Sequence, residues 1–295
     1  MDVKDMTEGE LPRAAAETDC CEPQQGRTAA GRSSHRVALE THDLTVTYRK
    51  RPVLYGIDVA IPEGNLIGIV GPNGAGKSTL IKAVMGVVRS TGGWVKVFGK
   101  PVKESLKRIG YVPQRESIDW EFPVTVMDVA LMGTYGKLGP FRWVGEEQRR
   151  RAREALERVG MLPYAKRQIG NLSGGQQQRV FLARALAQDS DLYLMDEPFA
   201  GVDAATESAI VELLKDLRSQ GKTVIVVHHD LQSAREYFDM LLLLNMRLVA
   251  FGPTAEVFTT ELLQKTYGGR LTILSEMAEK AAREGTGKLH PKNEP

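Results

Sequence analysis

Short apolar runs of strand length recur along this chain, each set off by turn-forming residues. In Leu44-Thr45-Val46-Thr47-Tyr48 apolar and polar side chains alternate, the period of a half-buried strand. Val59-Ala60-Ile61 follows and stops at Pro62-Glu63-Gly64. Leu66 to Val70 is an unbroken apolar run that enters a glycine-rich turn. A helix is predicted from Lys77 to Met85, with Gly86 placed to end it. Val95 and Val97 alternate again after Gly92-Gly93, consistent with a hairpin. From about 115 to 188 the pattern turns mostly helical: Glu146 to Val159, stopped by Gly160, and Ser173 to Ala187. Leu192 to Met195 then reads as a buried strand and Ala204 to Leu217 as an amphipathic helix closed by Gly221. Thr223 to Val227 and Met240 to Leu244 read as two more strands. This order predicts an α/β fold with a parallel-sheet core, an antiparallel β lobe and an inserted helical lobe over about 115–188. No internal repeat is visible, so one such unit is expected.

Both ends read differently. Residues 1–36 hold Pro12, Pro23, Gly26, Gly31 and an Ala14-Ala15-Ala16 run, with almost no large apolar side chains, and are expected to be a disordered tail. The patterned part spans 37–270, and 271–295 reads as one polar helix and a frayed end. Hydrophobic residues at 42% and charged residues at 26% exclude a wholly disordered or collagen-like chain. With Lys+Arg at 39 against Asp+Glu at 37, the net charge of +2 is too balanced for a general nucleic-acid binder. The two cysteines, Cys20 and Cys21, are adjacent in the tail, so no disulfide framework exists and a reducing compartment is expected. No run approaches the ~18 apolar residues of a membrane span, and Met1-Asp2-Val3-Lys4-Asp5 opens no signal peptide. A cytosolic chain is expected, with any membrane role arising through a partner.

Gly71-Pro72-Asn73-Gly74-Ala75-Gly76-Lys77-Ser78 fits the G-x-x-x-x-G-K-[ST] phosphate loop, between an apolar strand and a helix. Its glycines let the backbone turn several N–H groups toward phosphate oxygens, and the helix N-terminus adds favourable partial charge. Lys77 is expected at the β- and γ-phosphates and Ser78 at a Mg²⁺ position, with Thr79 completing the nucleotide side. Leu192-Tyr193-Leu194-Met195-Asp196-Glu197 carries two carboxylates to a strand end, where ligands of α/β folds sit. Asp196 is expected to bind Mg²⁺ and Glu197 to polarise an attacking water. Taken alone, the pair also reads as a cap on the turn at Pro198.

Between these lies Leu172-Ser173-Gly174-Gly175-Gln176, a helix start in which Ser173 can cap and Gly174 and Gly175 leave bare amides facing an anion. With these residues the sequence resembles the ATP-binding cassette (ABC) ATPases, over about 37–270. The resemblance implies an ABC cassette of the P-loop NTPase class, acting as a dimer in which Ser173-Gly174-Gly175-Gln176 of one subunit closes on the γ-phosphate held by the other. It implies ATP and Mg²⁺ as ligands. Tyr48 matches the aromatic stacked on adenine, although it also reads as a core tyrosine. Gln114 matches the glutamine that senses Mg²⁺ and the membrane partner, and Asp203 the loop touching the opposite subunit. His229 matches the histidine on the γ-phosphate, with His228 as the alternative if the register is off by one.

Two stretches look like the manganese, zinc and iron importer branch of the family: Tyr111 to Val124, and Glu197-Pro198-Phe199-Ala200-Gly201-Val202-Asp203-Ala204-Ala205-Thr206-Glu207. The resemblance therefore implies the ATP-hydrolysing motor of a divalent-metal importer at the cytoplasmic face of the membrane. Its implied partners are a second copy, a multi-span permease and an extracytoplasmic metal-binding protein, without nucleic acid. After Gln114, the apolar Ile118, Trp120 and Phe122 alternate with Glu116, Asp119 and Glu121, a composition suited either to docking a partner helix or to filling the helical lobe. A soluble cassette ATPase of iron–sulfur cluster assembly and a motor for another small solute are the other readings of a span-free single cassette.

Overall fold

The computed structural model describes residues 36–48, 51–115, 120, 122–138 and 143–268. Its strands run β1 (Val37–Tyr48), β2 (Arg51–Pro62), β3 (Leu66–Val70), β4 (Gly92–Val97), β5 (Lys100–Pro101), β6 (Ile109–Val112), β7 (Leu192–Asp196), β8 (Thr223–Val227), β9 (Met240–Asn245) and β10 (Arg247–Pro253). Its helices are α1 (Lys77–Val84), α2 (Val102–Ser105), α3 (Val126–Met132), α4 (Glu146–Arg158), α5 (Gly174–Ala187), α6 (Ala204–Ser219), α7 (Leu231–Tyr237), α8 (Thr254–Val257) and α9 (Thr260–Tyr267). Apart from Arg36, the stretches read as tails, with Cys20 and Cys21, lie outside the described residues.

The unbroken apolar runs become the centre of a six-stranded sheet, ordered β10-β9-β3-β8-β7-β6. All neighbours from β9 to β6 are parallel, and β10 returns antiparallel along β9. Every residue of β3, β7 and β8 is buried, as a sheet covered on both faces requires. Alternate residues feed two cores. Ile67, Ile69, Leu194, Ile225 and Leu242 pack with α1 and with strands β1 and β2. Tyr193, Met195, Val224, Val226 and Leu243 face the opposite way, into a core shared with α3–α7.

The second sheet is antiparallel, ordered β2-β1-β4-β5. The hairpin expected after Gly92-Gly93 forms between β4 and β5, through Phe98 and Gly99 at φ 51° and 72°. The longer partner of β4 is β1, distant in sequence. Strand β2 extends well beyond the Val59-Ala60-Ile61 run, because register shifts along its pairing with β1 break the alternation. Strands β6 and β10 and helices α7 and α9 have no counterpart in the sequence reading.

Helices α3, α4 and α5 pack together beside the parallel sheet, and a close approach fixes them. A Cβ on Gly133, just after α3, would lie 1.9 Å from the Arg184 carbonyl oxygen of α5. Backbone cannot yield to such a contact as a side chain can. Gly133→Ala is expected to destabilise the chain by about 1–3 kcal/mol, read as a lower urea midpoint at unchanged slope.

Candidate active site

Strand β3 delivers the chain to a loop that glycine alone fits. Gly74 and Gly76 have φ of +83° and +93°, and a Cβ on Gly76 would sit 2.6 Å from Leu54 Cδ2. Gly76 gives α1 no side-chain cap, so its first-turn amides remain available to an anion. Lys77 is buried and folds back over the loop, its Nζ donating to the carbonyls of Gly71 (2.8 Å) and Pro72 (3.1 Å). Burial pulls its pKa down, while Glu197 and Asp196 act in the opposite direction. Val53, the segment Asn73–Thr79 and Glu197 line an open cleft of about 260 Å³.

The acidic strand end meets this loop. Asp196 is fully buried at the end of β7, and its Oδ1 accepts from Ser78 Oγ at 2.9 Å. Its Oδ2 is buried with no hydrogen-bond partner. Burial raises the Asp196 pKa, partly offset by the Ser78 bond. A hydroxyl beside an orphaned carboxylate oxygen is the donor chemistry of a hard divalent cation, so these residues fit Mg²⁺. Glu197 occupies the left-handed region at φ 52°, a strained backbone for a non-glycine residue. The turn beyond it holds this geometry through Ala200 N–H donating to the Glu197 carbonyl at 3.1 Å. Strand β6, parallel to β7, carries Gln114 to the same edge, where its Nε2 donates to Glu197 Oε2 at 3.2 Å.

The other sequence-predicted residues lie elsewhere on the chain. Ser173 caps α5: its Oγ accepts from Gln176 N–H, and Gln176 Oε1 accepts from Ser173 N–H at 3.0 Å. An oxygen that accepts this bond still holds a proton to donate outward. Asp203 caps α6, with Oδ1 accepting from Thr206 N–H at 2.8 Å, and the Thr206 side chain, together with this backbone bond, lowers its pKa. None of Ser173–Gln176, Asp203, Tyr48 or His229 lines the phosphate cleft. Tyr48 ends β1 with 42% of its surface exposed, beyond the Leu44 and Val46 core, so the core reading of this tyrosine does not hold. His229 is exposed, whereas His228 is buried, with Nε2 2.8 Å from Ser233 Oγ. The alternative register therefore points inward. Trp120 packs edge-on against Phe181 at 5.3 Å inside the helical lobe, while Phe122 is 58% exposed. Glu116, Ser117, Ile118, Asp119 and Glu121 lie outside the described residues.

A family model described as ABC transporter matches residues 54–200. The manganese transport system ATP-binding protein MntB of Bacillus subtilis (strain 168) is 60% identical over 238 residues, covering 81% of this chain and 95% of that protein. The chain belongs to the ABC transporter family. It is an ATP-binding subunit of that family, an ATPase coupled to transport. The zinc transport system ATP-binding protein TroB of Treponema pallidum (strain Nichols) is 58% identical, covering 81% of this chain and 90% of that one. Among solved structures, a nucleotide-free ATP-binding cassette from an ABC transporter superposes with TM-score 0.67 at 26% identity, over 78% of this chain and 94% of the other. A bacterial ABC transporter cassette solved as a dimer gives 0.66 at 30% identity, over 73% and 98%.

Three supports of this ABC cassette's site escape a local reading of sequence. Phe199 stacks edge-on against His228 at 5.3 Å and pins the Glu197 turn to the β8 exit. The β9–β10 turn clamps the phosphate loop, with Met246 N–H donating to the Ala75 carbonyl at 2.9 Å. Asn245 Nδ2 donates to the Thr266 carbonyl of α9 at 2.9 Å, and next to it the Tyr267 hydroxyl is buried near the Gly71 backbone, outside hydrogen-bond geometry. Burial pushes that phenol up to about 12.

Burial likewise lowers the His228 pKa from 6.5 to about 4, with the neighbouring His229 adding to the shift. Between those two values the unfolded chain binds the extra proton and the folded chain does not. Stability is therefore full above pH 6.5 and is lost as pH falls toward 4. The loss amounts to roughly 3 kcal/mol at the low end. Urea melts across this window are expected to show a shallower pH slope in His228→Gln than in the parent; equal slopes would remove His228 as the source.

Proposed function

We propose that the chain is the motor of an importer for a divalent transition metal, working at the cytoplasmic face of the membrane as a homodimer beneath a multi-span permease fed by an extracytoplasmic metal-binding protein. The observation that carries the metal is near-full-length similarity to proteins named for manganese and zinc transport. The homodimer is supported by the open cradle. The Lys77 loop covers one side of a triphosphate, while the capped corner at Ser173 lies outside that cleft with a hydroxyl proton and bare amides to offer. A second copy supplies the missing wall. Exposed Phe122, next to the Gln114 segment, supports docking of the permease there, with Trp120 as its anchor in the helical lobe.

In this reading the amides from Gly74 to Thr79 and Lys77 Nζ hold the β- and γ-phosphates. Lys77 exchanges its two carbonyl acceptors for phosphate oxygens. Ser78, Asp196 and Gln114 would hold Mg²⁺, which neutralises charge on the phosphates when bound. Glu197 orients and deprotonates the attacking water, and the Gln114 amide fixes its carboxylate. His229 of the same chain and Ser173-Gly174-Gly175-Gln176 of the other contact the γ-phosphate, with Tyr48 on the adenine and Asp203 at the subunit junction. Because the γ-phosphate is shared, ATP closes the pair and phosphate release opens it, driving the permease between access states.

Glu197→Gln is expected to lower ATP turnover by about 10²–10⁴-fold while ATP binding persists; unchanged turnover in steady-state assays would remove Glu197 from its role. Lys77→Ala is expected to weaken ATP binding or turnover, and wild-type values for both would defeat the phosphate assignment. Reconstituted with its permease and binding protein, the ATPase should be stimulated by binding protein loaded with Mn²⁺ or Zn²⁺. Indifference to both, with stimulation by a non-metal solute, would overturn the metal reading.

A further inference from the structure

Arg115 follows Gln114 directly, yet the chemistry at Glu197 makes no use of it. Its guanidinium lies where three segments meet. Nη2 donates to Gln177 Oε1 in the first turn of α5 at 3.2 Å. The group lies against Gly174 so closely that a Cβ there would fall 2.9 Å from Nη1. A Cβ on Gly201, in the turn leading to Asp203, would be 3.5 Å from the same nitrogen. The Arg115 carbonyl accepts from Trp120 Nε1 at 3.2 Å, and the guanidinium lies 5.8 Å from the Trp120 ring centre. Gln177 is itself buried and braced, its Nε2 donating to the Ile169 carbonyl at 3.2 Å.

We propose that Arg115 is a positioning residue that locks the Gln114 segment, the Ser173–Gly174 corner and the Gly201 turn into one unit. The inference rests on the reading of the active species as an ATP-sandwiching dimer. An always-charged fork suits this junction, because one of its nitrogens can bond Gln177 while another lies against both glycines. Arg115 Nε is buried without a hydrogen-bond partner, so the junction is one acceptor short in this arrangement. A change at Gln114 then reaches the corner that must meet the partner's ATP.

The test uses the full chain in a Glu197→Gln background. ATP affinity of the isolated chain and ATP-dependent dimerisation are measured by titration and light scattering. Arg115→Met is expected to leave ATP affinity within about two-fold, since the phosphate cradle is untouched, and to raise the protein concentration needed for dimerisation at least about ten-fold. Gln177→Leu should show the same split. The double variant should fall well short of the product of the two single effects, because the two residues share one link. Effects that multiply would overturn the link, as would dimerisation in either single variant matching the parent. Should Arg115→Met fail to fold, Gln177→Leu alone decides by the same split. A parent chain that stays monomeric with ATP would instead overturn the dimer reading, and the proposal with it.

Discussion

The hydrogen bond from Ser78 Oγ to Asp196 Oδ1 joins the helix after the phosphate loop to the end of the acidic strand, with the carboxylate fully buried and the hydroxyl at the lining of the cleft. A fully buried carboxylate and a buried ammonium group at one sheet edge are costly unless each meets compensating charge or dipoles. Here the compensation is partial by construction. Lys77 is satisfied by two loop carbonyls, and Asp196 keeps one oxygen without a partner. The folded chain thus keeps an unmet electrostatic demand at Asp196, beside the phosphate loop. The parallel sheet makes this possible, because β3, β6, β7 and β8 all end at the same edge.

That edge is also rigid where it must be and open where it must receive a ligand. Beneath it, strands buried on both faces leave no room for side-chain rearrangement. Around it, the Glu197 turn is held in a strained conformation by Phe199 against His228, and the phosphate loop is clamped by the β9–β10 turn. The fold places Gln114, Asp196, Glu197, Lys77 and Ser78 together within one chain, and leaves Ser173 and Asp203 capping helices outside the cleft. This division fits the proposed dimer, in which each site is shared between two copies.

The legible parts of this architecture are those in which chemistry and local backbone are inseparable. The glycines of 71–76 must bend the chain wherever they occur. Ser173 followed by Gln176 closes a capping box from four consecutive residues. A five-residue apolar strand ending in Asp196 can place that carboxylate only at a sheet edge. The elements that stayed hidden depend on distant partners. Strand β10 is defined by its pairing with β9, β6 is a short strand interrupted by Gly110, and β2 is masked by bulges against β1. The contacts of Asn245, Tyr267 and Phe199 join segments whose proximity only the folded chain establishes. Tyr48 shows the limit of periodicity: it keeps the parity of Leu44 and Val46 but lies past the point where the core ends.

The central claim is that one triphosphate is held by Lys77 of one chain and the Ser173 corner of another. It is tested most directly by determining the structure of the Glu197→Gln chain with ATP bound. Two nucleotides are expected between two copies, each γ-phosphate within hydrogen-bond reach of Lys77 Nζ from one chain and Ser173 Oγ from the other. Nucleotides seated on the phosphate loops with both Ser173 hydroxyls facing solvent would contradict it.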